Sequence, residues 1–195
     1  MSETGLKMED GREERRMEVY RTLCAESAGH PNADSWARML ASRATGFGEM
    51  PERLGLAPRQ FDMLMARHFP DTDSSRFLAG PSLDSERAQE RQELRALIMT
   101  HCAEPSEEHE WFADVLASGC MGGSHLWHDL GLWSRKDVTA VIECNFPALK
   151  AKNDRDMKWK KFLYKQLCLQ EGIYICRSPS CEVCDDYKNC FSPDQ

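Results

Sequence analysis

The 195-residue chain lacks any run of about 18 apolar residues, so no membrane-spanning helix is expected. Its opening, MSETGLKMEDGREERR, has no apolar stretch of the kind a secretory signal carries, so residence in a reducing cytoplasm is expected. Convincing alternation of apolar and polar residues is missing, which argues against sheet-based folds. A positive overall charge is also missing. The net charge of −7 and the pI near 5.4 argue against nucleic-acid binding, which needs a basic footprint. Nor do the residues spell a recognisable pairing of nucleophile and base, so an ordinary turnover enzyme is not expected.

What is there reads as a mainly α protein of one domain. The composition, 41% hydrophobic and 29% charged, is that of a soluble globular chain. Segments such as MEVYRTLCAES, PRQFDMLMARHF, EHEWFADVLAS and MKWKKFLYKQLCLQ place apolar residues three and four apart, the spacing of one helical face. Asp34 is expected to cap the helix of Trp36, and Ser134 with Asp137 reads as a capping box. Residues 1–16, rich in charge and poor in large apolar groups, are expected to form a disordered tail. The polar stretch 70–85, PDTDSSRFLAGPSLDS, is expected to loop between two halves.

Those halves repeat. Shifting the chain by 76 residues lays WARMLASRATGFGEMPERLGLAPR (36–59) on FADVLASGCMGGSHLWHDLGLWSR (112–135), with nine identities. The Leu-Ala-Ser, the Leu-Gly-Leu and the closing arginine all fall in one register. The expected architecture is a duplicated helical unit packed as one bundle-like domain over 17–172, with approximate repeats 17–70 and 86–147 and a basic helix over 154–171. A cysteine-rich metal-binding segment, 173–195, comes after it. Residues shared by both copies are explained by packing. Metal-capable residues of one copy are not: the second copy has Cys120, His125 and His128 where the first has Ala44, Glu49 and Glu52.

Nine cysteines is an odd number, and four of them fall in Cys176–Cys190, CRSPSCEVCDDYKNC. In a reducing compartment such a pattern reads as metal-binding or redox-active rather than as disulfides. The order C-x4-C-x2-C-x5-C contains one C-x2-C pair, whereas a zinc ribbon pairs two. Its first three cysteines have the spacing of plant-type ferredoxins. Cys176, Cys181, Cys184 and Cys190 are thus candidate ligands of an iron–sulfur or related sulfide cluster, with tetrahedral zinc or a redox pair as alternatives. Just before them, residues 150–165 carry seven basic and two acidic side chains. An apolar face there must pack, and Lys158, Lys160, Lys161 and Lys165 are expected to point mainly outward. They either form a solvated face or contact an anion or an acidic partner. His125 and His128, three residues apart, and Cys120 and Cys168 are further candidate ligands. Cys24, Cys102 and Cys144 are expected in the core, and His30, His68, His101 and His109 as ordinary surface or partly buried residues.

The motifs HLWHDLGLWSR (125–135), NFPAL (145–149), KNDRDMKWKKFLYKQLC (152–168) and the cysteine array closing in CF resemble the nitrogen-fixation protein NifQ family over roughly residues 110–192. His125 lies in the family-like HLW and Cys168 in the family-like QLC. The resemblance implies a carrier that takes molybdenum, supplied as molybdate, onto an iron–sulfur cluster and delivers it for nitrogenase iron–molybdenum cofactor synthesis. It implies as partners the cofactor-assembly scaffold and the nitrogenase iron protein. Soft thiolates and sulfide suit that conversion of an oxyanion to a sulfur environment. The readings of another class are a zinc-stabilised interaction module and a ferredoxin-like electron carrier.

Overall fold

The computed structural model describes residues 3–78, 81–82 and 85–171, with side chains from residue 11 to 170. Among the described residues every regular element is helical and there is no strand, as the 3.6-residue periodicity requires. The helices are α1 (Glu3–Ala25), α2 (Ala33–Ala44), α3 (Pro58–His68), α4 (Ala88–Met99), α5 (Glu107–Cys120), α6 (Leu126–Asp129), α7 (Arg135–Asn145), α8 (Pro147–Lys152) and α9 (Trp159–Glu171). Helix α1 packs on α2 and α4 on α5, while α9 lies against α4. The cysteine segment 173–195 lies outside the described residues.

Local chemistry sets the helix ends. Ser134 Oγ accepts from the Asp137 N–H at 3.3 Å, which is one half of the expected capping box; Asp137 Oδ2 accepts from the Trp133 N–H, one residue ahead of the cap, and not from Ser134. The other expectation fails. Asn32, not Asp34, precedes α2, in a left-handed conformation (φ 68°) that asparagine tolerates better than most residues. Asp34 is instead the acceptor for Tyr20 and Arg38.

The segment expected as a tail is helical from Glu3 onward. Its arginines use aromatic faces that composition alone did not pair with them. The Arg16 guanidinium lies 4.3 Å from the Phe47 ring centre and 5.1 Å from that of Trp133, and Arg12 lies 4.8 Å from Phe47. Each such contact is worth about 0.5–1 kcal/mol when exposed. The 70–85 stretch is likewise not all loop: Ser74–Phe77 forms a 3-10 turn that buries Phe77 in the core.

At the centre, Trp36 and Phe112 stack with ring centres 4.0 Å apart and planes 18° from parallel. These two residues occupy the same place in the two repeats, 76 residues apart. Around them the contacts run reciprocally. A Cβ on Gly55 would fall 2.9 Å from Ser118 Cβ, and one on Gly131 would fall 2.7 Å from Ser42 Cβ. Gly55 corresponds to Gly131 and Ser42 to Ser118, and both glycines have left-handed φ (+79° and +71°), so both lack of a side chain and backbone freedom are needed. Phe69 and Phe146 end α3 and α7 with the same geometry, φ −139° and −137° with ψ 61° at each.

A second polar layer sits beside the stack. Asn32 and Asn145 exchange amide hydrogen bonds at 3.0 and 3.1 Å. Glu108 accepts from Trp36 Nε1 at 2.8 Å and pairs with His68 Nε2 at 3.0 Å. His68, expected near the surface, is 1% exposed because its ring closes this layer. Burial works against the Glu108 charge, but the bonds from His68 and Trp36 and the charges of His68 and Arg67 outweigh it, holding the carboxyl below its ordinary value of 4.5. A depressed carboxyl contributes stability that is complete above its unfolded pKa and disappears as pH falls through the folded one. Glu108→Gln should therefore cost about 1–3 kcal/mol at neutral pH and flatten the acid side of the stability curve. Urea midpoints measured from neutral to acid pH check this, and an unchanged acid slope would contradict it. Asp34, also held low, keeps a residual slope in the variant.

Candidate functional site

The residues peculiar to the second repeat gather where α9 meets the loop between α5 and α6. Helix α9 is docked there before it begins. The buried Asn153 side chain donates to Met157 O at 2.9 Å and accepts from the Met157 N–H at 2.8 Å, closing the turn that leads into α9. Arg135 reaches Asp156 Oδ1 (2.9 Å) and Met157 O (3.2 Å) from α7. Trp159 Nε1 donates to Thr139 Oγ1 at 2.8 Å. These bonds give a physical reason for the Asn-Asp-Arg-Asp-Met-Lys-Trp run, which periodicity alone left unexplained.

Lys160 then closes the site. Its ammonium donates to Gly122 O (2.7 Å), to Ser124 O (2.8 Å) and to Asp129 Oδ2. All three donors of the group are used. Arg87, just ahead of α4, takes the neighbouring Met121 O at 2.6 Å and also donates to Tyr164 Oη at 3.0 Å. The Tyr164 hydroxyl donates in turn to Glu90. Two cations thus hold the carbonyls of one short loop, and Gly122 lets it lie flat. A Cβ there would sit 2.6 Å from Asp129 Cγ. The first repeat has a simpler version of this grip: Arg12 of α1 donates to Thr45 O and Gly46 O, the positions matching Met121 and Gly122.

The lysines correct one expectation. Lys160 and Lys161 are buried, 4% exposed each, because α9 is covered on more than its apolar stripe. Lys158 and Lys165 are half-buried. None of the four projects freely outward as the helical pattern suggested.

Cys120 forms the floor of the site and is fully buried. Burial pushes its thiol up to about 12, and Lys160 only partly offsets that. Tyr164 is raised by burial, by the neighbouring Cys120 and by its bond to Glu90. A thiol in that state is unreactive at neutral pH. Cys24 and Cys144, both expected in the core, are exposed, and Cys102 is half-buried. Iodoacetamide at neutral pH should therefore alkylate Cys24 and Cys144 of the native chain and spare Cys120 until denaturant is added. Peptide mass spectrometry reads the result, and native labelling of Cys120 would contradict the burial.

The loop's far side carries the histidines. His125 is exposed and stands at the start of α6 without a side-chain cap bond. His128, 47% exposed, has its Nδ1 3.6 Å from Asp129 Oδ1. Cys168 is half-buried on α9, two turns beyond Lys160. Cys176, Cys181, Cys184 and Cys190 lie outside the described residues. Among the described residues, no group of three His, Cys, Asp or Glu side chains is gathered to hold a metal ion.

Three residues central to this geometry, Arg87, Asp129 and Tyr164, escaped the sequence reading. One of them left a signal. The repeat sets Asp129 against Arg53, a reversal of charge immediately before the shared Leu-Gly-Leu. Arg87 and Tyr164 had none, since both look like ordinary members of a charged and an apolar helix face.

A chain whose described residues are helical, whose second half carries a cation-held loop, and whose sequence places four cysteines in fifteen residues after α9, belongs to a narrow class. The NifQ family model matches residues 35–192. Protein NifQ of Azotobacter vinelandii is 39% identical over 168 residues, covering 80% of this chain and 86% of that one. Protein NifQ of Rhodobacter capsulatus is 37% identical over 163 residues (81% and 86%), and Protein NifQ of Klebsiella pneumoniae 37% over 172 residues (83% and 99%). No solved structure matches the chain. The chain belongs to the NifQ family and is a nitrogen-fixation-related protein. No helix among the described residues is long and apolar enough to cross a membrane.

Proposed function

We propose that this protein is a cytoplasmic molybdenum carrier, not a turnover enzyme, and that it donates molybdenum for assembly of the nitrogenase iron–molybdenum cofactor. Cys176, Cys181, Cys184 and Cys190 hold an iron–sulfur cluster, and molybdenum is the cargo taken from molybdate. The donor set fits such a group, since four thiols in fifteen residues form a complete soft ligand set. When bound, the cluster supplies sulfide and reduced iron as a sulfur environment for molybdenum. The chain's own part is to anchor that core near its end and to present it to the cofactor-assembly scaffold and the nitrogenase iron protein. The observation that carries the reading is the cysteine array inside the matched family region, 35–192.

The site's architecture is in keeping with this assignment. Helix α9, which leads toward the array, is locked at its start by Asn153, Arg135, Trp159 and Lys160. A rigid root fixes the point from which the cysteine segment departs. We also assign the fold to duplication of one helical unit. The reciprocal Gly55–Ser118 and Gly131–Ser42 approaches and the matched loop grips by Arg12 and by Arg87 with Lys160 are what two copies about a pseudo-twofold axis produce.

Anaerobic purification from cells given and denied molybdate tests the function. The expected product is a brown protein with iron and sulfide in both cases and molybdenum only in the first. A colourless protein with stoichiometric zinc would replace the reading with a zinc-stabilised interaction module. Reversible reduction with no molybdenum uptake would replace it with a ferredoxin-like electron carrier.

A further inference from the structure

Asp129 is completely buried, yet its two oxygens are treated differently. Oδ2 accepts from Lys160 and, at 3.0 Å, from the Ser124 N–H. Oδ1 is buried with no hydrogen-bond partner. A carboxylate oxygen left in that condition is costly, and a buried acceptor of this kind calls for a donor. His128 approaches this oxygen, its Nδ1 3.6 Å away and its side chain 47% exposed. Around the pair, Lys160 neutralises the carboxylate, and Gly122 leaves no side chain between the loop and Asp129.

The geometry points to Asp129 as a positioning residue for His128. Oδ1 takes the Nδ1–H of His128, fixing the imidazole in the tautomer whose bare Nε2 faces solvent and serves as a metal ligand. The small closure from 3.6 Å to bonding distance satisfies the orphan oxygen and orients the ring in one move. Histidine ligands in metal sites characteristically give their other N–H to a carboxylate in this way. The imidazole class of ligand suits borderline metals, and the cargo assigned under the proposed function supplies that metal, so the ligand half of the inference rests on that reading. The positioning half does not. Asp129 is specific to the second repeat, where the first carries Arg53, so the arrangement has no counterpart in the first repeat.

Asp129→Asn separates the two halves of the idea. Lys160 requires an oxygen at the Oδ2 position, so the asparagine NH2 must occupy the Oδ1 side and face His128. A donor there demands an acceptor at Nδ1, moves the ring proton to Nε2 and blocks coordination.

The first measurement is made on metal-free full-length protein with isotopically labelled histidine nitrogens, by long-range proton–nitrogen correlation. The expected result is a His128 predominantly Nδ1–H in the native chain and predominantly Nε2–H in Asp129→Asn. A native His128 in the Nε2–H form overturns the positioning role, whatever the metal content and without need of the variant. The second measurement is pulsed EPR on protein reconstituted anaerobically with iron, sulfide and molybdate. Nitrogen coupling is expected in the native protein, lost in His128→Ala and in Asp129→Asn, and restored to His128→Ala by added imidazole. Coupling that persists in His128→Ala overturns the ligand role. A native chain that takes up no cluster overturns the carrier reading and the ligand role with it, while the tautomer result still decides the position of Asp129.

Discussion

Lys160→Met will destabilise the chain by about 3–5 kcal/mol, a large share of the stability of an ordinary domain. The reason lies in the charge that the substitution strands. The side chains of Lys160 and Asp129 are 4% and 0% exposed, so neither charge regains water when its partner is removed. In the variant Asp129 Oδ2 keeps one donor, the Ser124 N–H, and the carbonyls of Gly122 and Ser124 lose their cation together. Methionine fills much of the same volume, so packing alone predicts a small effect. Urea unfolding of the full chain distinguishes the two, since only the uncompensated charge accounts for a loss of this size. Lys160→Met combined with Asp129→Asn should recover part of it, because the buried charge has then gone from both sides. That recovery is the non-additivity expected of directly coupled groups. A single variant within about 1 kcal/mol of the parent, in the range of ordinary surface substitutions, would mean the ion pair is not what holds the loop.

The same pair marks the boundary of what the amino-acid order reveals. Helix positions and the capping by Ser134 are legible because they depend on neighbours three and four residues away. The likeness of the halves is legible for a related reason: Gly55 and Gly131 need the same absence of a side chain, and selection for close approach leaves the same letter twice. The polar interior is different. Lys160 finds Asp129 across 31 residues, Arg87 finds Tyr164 across 77, and Asn32 finds Asn145 across 113. Nothing in a local pattern distinguishes a lysine that will be buried against a carboxylate from one that will face water. The outward lysines, the tail made helical by Arg12 and Arg16 stacking on Phe47, and the exposed Cys24 and Cys144 all differ from expectation through such long-range or edge effects. Family membership, by contrast, was legible from short motifs whose chemistry only the tertiary fold explains. The Asn153 of one such motif works as a turn lock, and its Lys160 as the clamp.

The four-cysteine array makes the second large prediction. Cys181→Ala should reduce iron retained per chain by roughly tenfold or more, since loss of a direct ligand exceeds the 10–100-fold cost typical of outer-shell partners at its lower end. Helical content and the urea midpoint should stay near the parental values. The described hydrophobic core closes with groups between Val19 and Leu167, including the Trp36–Phe112 stack, and these bury apolar surface without help from a metal. A metal that held the fold together would behave otherwise: losing a ligand would unfold the chain, as it does in small zinc domains. Because three thiolates sometimes retain a cluster weakly, Cys181→Ala combined with Cys184→Ala is the stricter form, removing the C-x2-C pair at once. Iron, sulfide and molybdenum analyses alongside circular dichroism give the answer. Full cluster loading in the double variant would remove these sulfurs from the metal centre, and cooperative unfolding would make the centre structural. Retained helices with lost metal are the outcome for a carrier, whose cargo must leave without the fold leaving with it.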